Sequence, residues 1–214
     1  YLFLFIVGVL AILLFEHNHA FKGLSWHQSL FYSLFQSATT RSAGLQTIDV
    51  TTLSDPTNII MGILMFIGSS PSSVGGGIRT TTFAILILFL INFSNNADKT
   101  SIKVYNREVH IMDIQRSFAV FTMATILTFL GMLIISATEN GKLTFLQVFF
   151  EVMSAFGTCG LSLGVTSDIS DISKVVLMVL MFIGRVGLIS FIIMIAGRRE
   201  PDKFHYPKER IQIG

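Results

Sequence analysis

Four long apolar runs, separated by polar segments, dominate this sequence. They occupy residues 1–15, 58–93, 118–137 and 175–196. A helix that crosses a bilayer needs about 20 consecutive apolar residues, so each run is long enough, or nearly long enough, to span. Only 13% of the residues are charged, well below the share typical of soluble domains. The pattern predicts an all-α membrane protein, and a net charge of +2 gives no indication of nucleic-acid binding.

Two shorter amphipathic segments lie between the runs. "WHQSLFYSLFQSATT" covers residues 26–40, and "TFLQVFFEVMSAFGT" covers residues 144–158. Both are too short to cross a bilayer, and irregular backbone at membrane depth is tolerated only where protein buries it or water lines it. We therefore predict two re-entrant helices, each followed by a turn of small and polar residues.

The two halves of the sequence repeat each other. The pentapeptide "LMFIG" occurs at residues 64–68 and again at 180–184, an offset of 116. The same offset places Gly44-Leu45 on Gly160-Leu161. This agreement predicts a unit of span, short helix, glycine turn and span that occurs twice in the same orientation. The two units cover residues 1–93 and 118–196.

Basic residues indicate the orientation, because cytoplasmic segments of membrane proteins carry an excess of lysine and arginine. Nine of the 15 basic residues lie in or beside a central connection (residues 94–117) and a C-terminal tail (residues 197–214). Both segments are therefore predicted to be cytoplasmic, and both re-entrant helices enter from the outer face. Acidic residues on that face either attract cations toward an entrance or are ordinary solvated charges: Glu16, Asp49, Asp55, Glu139, Asp168 and Asp171.

The turns after the two short helices have the composition of an ion filter. Their sequences are "TTRSAGLQT" (residues 39–47) and "FGTCGLSLG" (residues 156–164). A pore that strips water from a cation replaces it with oxygens such as backbone carbonyls, and glycine permits the backbone angles that direct carbonyls inward. Two turns cannot surround an ion, whereas four can, so a filter needs two further repeats or another chain. The alternative is that both turns are ordinary loops.

The order of span, short helix, "TTRSAGLQT", span and then "SAFGTCGLSLG" resembles the Trk/Ktr/HKT superfamily of potassium transporters, and most closely its KtrB-type membrane subunits. The resemblance covers the whole chain. It implies tandem span–pore-helix–filter–span repeats, built like a potassium channel around a pseudo-fourfold pore, with this chain as the third and fourth repeats and the first two missing. One glycine per turn implies weaker discrimination of K+ from Na+ than in the channels. The implied filter residues are Thr40, Arg41, Ser42, Ala43, Gly44, Gly157, Thr158, Cys159 and Gly160.

The second apolar run carries a polar interruption, "SSPSSVGGGIRTTT" (residues 69–82). As one helix, residues 58–93 would be about 54 Å long, far more than the ~30 Å apolar core of a bilayer. The serine and threonine hydroxyls of the interruption can form hydrogen bonds with backbone groups that lose their helical partners at the break. The alternative, a kink packed against neighbouring helices, needs fewer polar residues. The resemblance implies a gate across the pore, formed by Ser69, Ser70, Pro71, Ser72, Ser73, Val74, Gly75, Gly76 and Gly77.

Three arginines, Arg41, Arg79 and Arg185, lie at membrane depth, where a charge needs a partner or water. Arg41 lies within the first turn, and a cation facing the pore there would repel potassium. We therefore predict that it points behind the filter in a structural role, with Glu151 or Asp49 as its partner. Arg185 directly follows the second "LMFIG". It either faces the pore as an electrostatic barrier or is buried against carbonyls of the opposite loop, and the two roles are compatible.

The resemblance implies a non-enzymatic, ion-conducting subunit of a potassium uptake system, with K+ in the pore. It implies a multi-pass protein of the bacterial cell membrane that forms a homodimer on a cytosolic KtrA-type regulatory ring. ATP or ADP binds that ring, and Na+ is compatible as an activator. Two alternatives are a membrane scaffold and a membrane enzyme, either an intramembrane protease or a phosphate-handling protein that uses "GGGIRT". The enzyme is disfavoured because "SVGGGIRTTT" lacks the phosphate-loop pattern and because the four apolar runs contain serine but no histidine that could act as a protease base. The five histidines show no metal-binding spacing.

Overall fold

The computed structural model describes residues 1–41, 43–71, 73, 75–95, 103–104 and 107–188. Within these residues the regular secondary structure is helical apart from one pair of very short strands. The helices are α1 (Leu2–Glu16), α2 (Trp26–Thr39), α3 (Asp55–Phe66), α4 (Thr80–Asn95), α5 (Ile111–Thr138), α6 (Phe145–Gly157) and α7 (Asp171–Val186). A 3-10 turn covers Val50–Thr52, and β1 (Lys103–Val104) pairs antiparallel with β2 (Arg107–Glu108). The predicted helical class therefore holds for the body of the chain, but it missed this strand pair.

Among the described residues, one helix is long and apolar enough to cross a bilayer by itself: α5, with 28 residues. Shorter apolar helices of 10–17 residues are α1, α4 and α6. Helix α5 begins at Ile111, with His110 as its N-cap, so it starts inside the predicted central connection. The first two turns of α5 contain polar residues, so the apolar run that predicts this helix begins later than the helix itself.

Helix α7 ends earlier than the apolar run that predicted it. Its last residue is Val186, and Gly187 adopts φ +88°, which no longer fits a right-handed helix. The apolar run continues to residue 196, but the part of it after residue 188 and the predicted tail (residues 197–214) lie outside the described residues.

The polar interruption separates α3 from α4. Residues 67–79 connect the two helices, and we call this segment the loop; none of its described residues is helical. The predicted interruption (residues 69–82) extends three residues too far, because its last three threonines form the first turn of α4. The ends of the loop lie side by side: the Ile78 N–H donates to the Phe66 carbonyl at 3.0 Å, and the Thr80 N–H donates to the Ser69 carbonyl at 3.2 Å. The chain therefore leaves α3 and enters α4 through a closed base.

Helix α6 lies at the centre of the packing, in contact with α3, α5 and α7. Its Phe150 has no exposed surface and packs in a cluster with Met61 and Met65 of α3. Helix α2 contacts α1, and its Phe31 is 68% exposed. The two short helices therefore have different surroundings.

The two short helices begin with the same capping arrangement. The side-chain oxygen of Gln28 accepts a hydrogen bond from the Ser25 N–H at 3.1 Å. The side-chain oxygen of Gln147 accepts one from the Thr144 N–H at 2.9 Å. A capping box of this kind marks a helix start in the sequence. The two boxes are offset by 119 residues, three more than the glycine turns, and aligning the helices on them makes Phe31 the counterpart of Phe150.

A buried glutamate joins the first and third helices of each half. Glu16 ends α1 and accepts hydrogen bonds from the Ser54 N–H (2.9 Å) and hydroxyl (2.6 Å), directly before α3. Glu139 follows α5 and accepts from the Ser170 N–H and hydroxyl, both at 2.8 Å, directly before α7. A carboxylate satisfies free N–H groups at a helix start and complements the helix dipole. These two acidic residues are thus structural and not free charges at an ion entrance.

Replacement of Glu16 by glutamine is expected to lower the free energy of unfolding by about 2–3 kcal/mol, because hydrogen bonds to a charged acceptor become bonds to a neutral one or are lost. Thermal unfolding of the purified protein measures this. Asp171→Asn is the matched control, because that carboxylate is fully exposed and forms a surface ion pair with Lys174 at 3.7 Å. Equal unfolding temperatures for the two variants would contradict the structural role of Glu16.

Candidate functional site

The turns that follow the two short helices touch each other. A Cβ added to Gly44 would lie 2.2 Å from the carbonyl oxygen of Cys159 and 3.4 Å from the Cα of Gly160. The thiol of Cys159 donates to the Thr39 carbonyl at 3.1 Å. Gly44 has φ +65° and Gly160 has φ +93°. The backbone of one turn therefore packs on the backbone of the other, at a distance that only glycine allows.

The first turn is closed by its own threonines. The Thr39 hydroxyl donates to the Leu45 carbonyl at 2.6 Å, and the Thr40 hydroxyl donates to the Ser37 carbonyl at 2.8 Å. The side chains of both threonines are buried, whereas Ala43 is exposed and Gly44 is half-buried. The exposed surface of this turn therefore lies at its glycine end. Ser42, a predicted filter residue, lies outside the described residues.

The second turn is held between α3 and α7. A Cβ on Gly157 would lie 2.5 Å from the Met65 carbonyl oxygen, and one on Gly184 would lie 2.1 Å from the Phe156 carbonyl oxygen. Thr158 adopts φ +50°, unusual for a residue with a side chain. Its N–H donates to the Ala155 carbonyl at 3.0 Å, which closes the C-terminal end of α6. Close backbone contacts thus position this turn on both sides.

Glu151 supports the chain that leaves the second turn. Its carboxylate accepts hydrogen bonds from the Ser162 hydroxyl, the Leu163 N–H at 3.1 Å and the Thr166 hydroxyl at 2.9 Å. The prediction that Glu151 pairs with Arg41 is therefore wrong. A carboxylate in a helix gives no indication in the sequence of which later backbone segment it will hold.

Arg41 binds carbonyl groups in place of a carboxylate. One guanidinium nitrogen donates to the carbonyls of Ile67 (2.9 Å) and Gly68 (3.3 Å), at the start of the loop. The side chain is buried, and its guanidinium carbon lies 5.5 Å from the ring centre of Tyr1. Asp49, the other predicted partner, accepts from the Thr51 N–H at 3.0 Å, and this bond holds the pKa of Asp49 below its usual value. Arg41 thus ties the first turn to the base of the loop.

The loop also touches the second turn. The Gly76 N–H donates to the Thr158 hydroxyl oxygen at 2.9 Å. A Cβ on Gly68 would lie 1.9 Å from the Gly76 carbonyl oxygen, so the outgoing and returning segments of the loop pack backbone against backbone. The predicted loop residues Ser72 and Val74 lie outside the described residues. Each turn therefore sends one side chain to the loop, Arg41 to its base and Thr158 to Gly76, and nothing in the sequence pattern indicated either contact.

A cavity of about 360 Å³ adjoins the loop at Gly77, and its lining includes Arg79, Val120 and Gly187. Arg185 lies in the last turn of α7, directly after Gly184, and its side chain is exposed. Among the described residues, no cluster of three or more His, Cys, Asp or Glu could hold a metal ion.

Comparisons with known proteins identify the family. The family model TrkH, described as a cation transport protein, matches residues 1–205. The chain is 51% identical over 211 residues to the Ktr system potassium uptake protein D of Bacillus subtilis, and 34% identical over 213 residues to the Ktr system potassium uptake protein B of Vibrio alginolyticus. Each alignment covers 99% of this chain and 46% of the relative. The chain therefore spans about half the length of the curated relatives it matches.

The fold is similar to the crystal structure of the potassium transporter TrkH of Vibrio parahaemolyticus. The TM-score is 0.75 at 22% sequence identity, over 90% of this chain and 42% of that one. Together with the sequence relatives, this similarity confirms the resemblance to the Trk/Ktr/HKT superfamily. The family consists of transporters and not of enzymes, which removes the membrane-enzyme alternative. Because the family model covers nearly the whole chain, this membrane protein belongs to the TrkH family of cation transport proteins.

Proposed function

We propose that this chain forms two of the four repeats that surround the pore of a potassium uptake subunit. The observation that carries the proposal is the contact of two glycine turns, each at the C-terminal end of a short helix, with a Cβ on Gly44 reaching within 2.2 Å of the Cys159 carbonyl oxygen. Carbonyl oxygens of such turns can replace the water around a cation. The negative ends of the α2 and α6 dipoles add attraction for the ion.

Unequal burial of the two short helices supports two further repeats. Phe150 of α6 is enclosed by α3, whereas its counterpart Phe31 on α2 is 68% exposed. In a pseudo-fourfold arrangement, a helix equivalent to α3 from a preceding repeat would cover Phe31. The length of the relatives is compatible with this arrangement, because this chain corresponds to 46% of them.

In this proposal the loop is the gate of the ion pathway. It interrupts the membrane segment formed by α3 and α4, and it touches both turns through Arg41 and Thr158. Arg185 lies after Gly184, next to the contact between α7 and the second turn. We place it on the ion path as an electrostatic barrier, since a fixed positive charge there opposes the passage of a cation.

The filter turns bind K+ with limited discrimination against Na+, because each has one filter glycine with a positive φ, Gly44 or Gly160, and few ordered carbonyl sites. Na+ is proposed as an activator in addition to K+. The central connection and the tail face the cytoplasm, where they contact the regulatory ring and the second copy of the homodimer. ATP and ADP act on the ring and do not bind this chain.

Restoration of potassium uptake tests the proposal. The four-repeat protein that carries this chain is expressed, with a KtrA-type partner, in a bacterium that lacks its own potassium uptake systems. We expect growth at low external K+ and uptake of Rb+ into the cells. A scaffold would insert into the membrane without either effect. Normal membrane insertion combined with no growth and no Rb+ uptake would therefore overturn the proposed function.

A further inference from the structure

We infer that the side chain of Thr158 is the latch that holds the loop in its closed position against the second turn. The inference rests on the proposed gating role of the loop and adds the residue that sets its closed state. Thr158 is thus a positioning residue for the gate, in addition to its proposed place in the filter.

The contact joins segments that are far apart in the sequence. The Gly76 N–H donates to the Thr158 hydroxyl oxygen at 2.9 Å, across 82 residues. Gly76 is buried and Thr158 is half-buried. A buried N–H without a partner is unfavourable, so the loop gains stability from this position and loses it when Gly76 moves away.

The conformation of Thr158 lets one residue serve both elements. Its backbone is part of the second turn, with the N–H bonded to the Ala155 carbonyl at 3.0 Å. Its left-handed backbone (φ +50°) persists at an energetic cost for a residue with a side chain. The main chain of Thr158 is therefore part of the second turn, while its hydroxyl binds the loop. A displacement of the turn or of the loop acts on the other through this residue.

The packing around this bond leaves no space for a side chain at position 76. A Cβ on Gly76 would lie 2.6 Å from the Thr158 hydroxyl oxygen, 2.7 Å from its methyl carbon and 3.1 Å from the Gly184 carbonyl oxygen. The loop can therefore reach Thr158 only with glycine at position 76. A substitution of Gly76 or of Thr158 therefore disrupts the same contact, the first from the loop and the second from the turn.

The two anchors of the loop differ in strength. Arg41 holds the base through two bonds from a charged donor, at 2.9 and 3.3 Å, and bonds of this kind are roughly twice as strong as neutral ones. Thr158 holds Gly76 through one neutral bond. The contact at Thr158 therefore breaks first, and the loop opens around a base that stays attached to the first turn.

Ion flux in the four-repeat transporter tests the latch. Thr158→Val removes the acceptor at nearly constant shape, and we expect a roughly two- to tenfold rise in flux, the range that corresponds to one neutral hydrogen bond. Thr158→Ser keeps the acceptor and is expected to raise flux less. Thr81→Val, the same change at an exposed position of α4, is the matched control with native flux.

The same measurement in a transporter that lacks residues 70–76 separates the latch from other roles. We expect Thr158→Val to add no flux there, because the loop it holds is gone. An equal increase with and without the deletion would mean that Thr158 acts within the turn, which overturns the inference. Native flux for Thr158→Val, while the deletion raises flux, would also overturn the latch and leave the gate intact.

A deletion that fails to raise flux would instead count against the proposed gate itself. Should Thr158→Val not reach the membrane, Gly76→Ala provides the second test, because its Cβ would lie 2.6 Å from the Thr158 hydroxyl oxygen and would force the loop away from that side chain. Raised flux in Gly76→Ala supports the latch, and native flux in that variant overturns it.

Discussion

Deletion of residues 70–76 is expected to raise potassium flux through the four-repeat transporter by roughly tenfold or more and to weaken its control by the regulatory ring. The deletion removes the bond of Gly76 to Thr158, worth about 1 kcal/mol, together with the buried backbone contacts around it. Rb+ uptake, normalised to the amount of protein in the membrane, measures the change.

The structure makes this deletion practical. The loop ends are already joined by the bonds from Ile78 to Phe66 (3.0 Å) and from Thr80 to Ser69 (3.2 Å). Ser69 and Gly77 can therefore be linked without pulling α3 away from α4. A variant with all seven deleted residues replaced by an equally long glycine–serine segment is the control for chain length, and it is expected to gain less flux. Unchanged flux in the deletion would contradict the gate.

Substitution of the two turn glycines by alanine is expected to have the second large effect, with Gly44→Ala abolishing potassium uptake. A Cβ at Gly44 would lie 2.2 Å from the Cys159 carbonyl oxygen, a backbone atom that cannot move aside without opening the second turn. The positive φ of +65° adds strain of about 1–2 kcal/mol. Both effects separate the two turns whose carbonyls we propose as ion ligands.

Gly160→Ala isolates the backbone conformation from the steric conflict. Within the described part of the chain, a Cβ there meets only the Cα of Gly44, at 4.0 Å, but the residue has φ +93°. Gly23 has nearly the same angle, φ +92°, and no atom of the described residues lies within 4 Å of an added Cβ, so Gly23→Ala imposes a similar strain outside the site. We expect Gly160→Ala to reduce K+ uptake and its preference over Na+, while Gly23→Ala lowers only stability. Identical transport by these two variants would contradict a filter at Gly160.

The helices were largely predictable because membrane helices have strong sequence signals. The predicted segments 26–40 and 144–158 match α2 (Trp26–Thr39) and α6 (Phe145–Gly157) to within a residue or two. Their polar caps and apolar bodies are visible in the sequence. The predicted helix boundaries were wrong where that signal is weak, as at the polar first turns of α5.

The contacts within the site were not predictable in the same way. Arg41 pairs with the carbonyls of Ile67 and Gly68, and every residue has a carbonyl, so no residue type indicates this partner. The bond from Gly76 to Thr158 depends on the return path of the loop, which the sequence pattern does not specify. For Glu16 the sequence left two interpretations open, a charge at an ion entrance or an ordinary solvated charge. Neither included the N–H and hydroxyl of Ser54, which become its neighbours only after α1 and α3 pack.

We propose that carbonyls of the two glycine turns line a potassium pathway. A structure of the four-repeat transporter soaked in Rb+ or Tl+, which scatter anomalously, tests it most directly. We predict an anomalous peak on the pseudo-fourfold axis, surrounded by backbone carbonyls of the turns that contain Gly44 and Gly160. An axis filled by packed apolar side chains, with no peak beside either glycine, would contradict the claim.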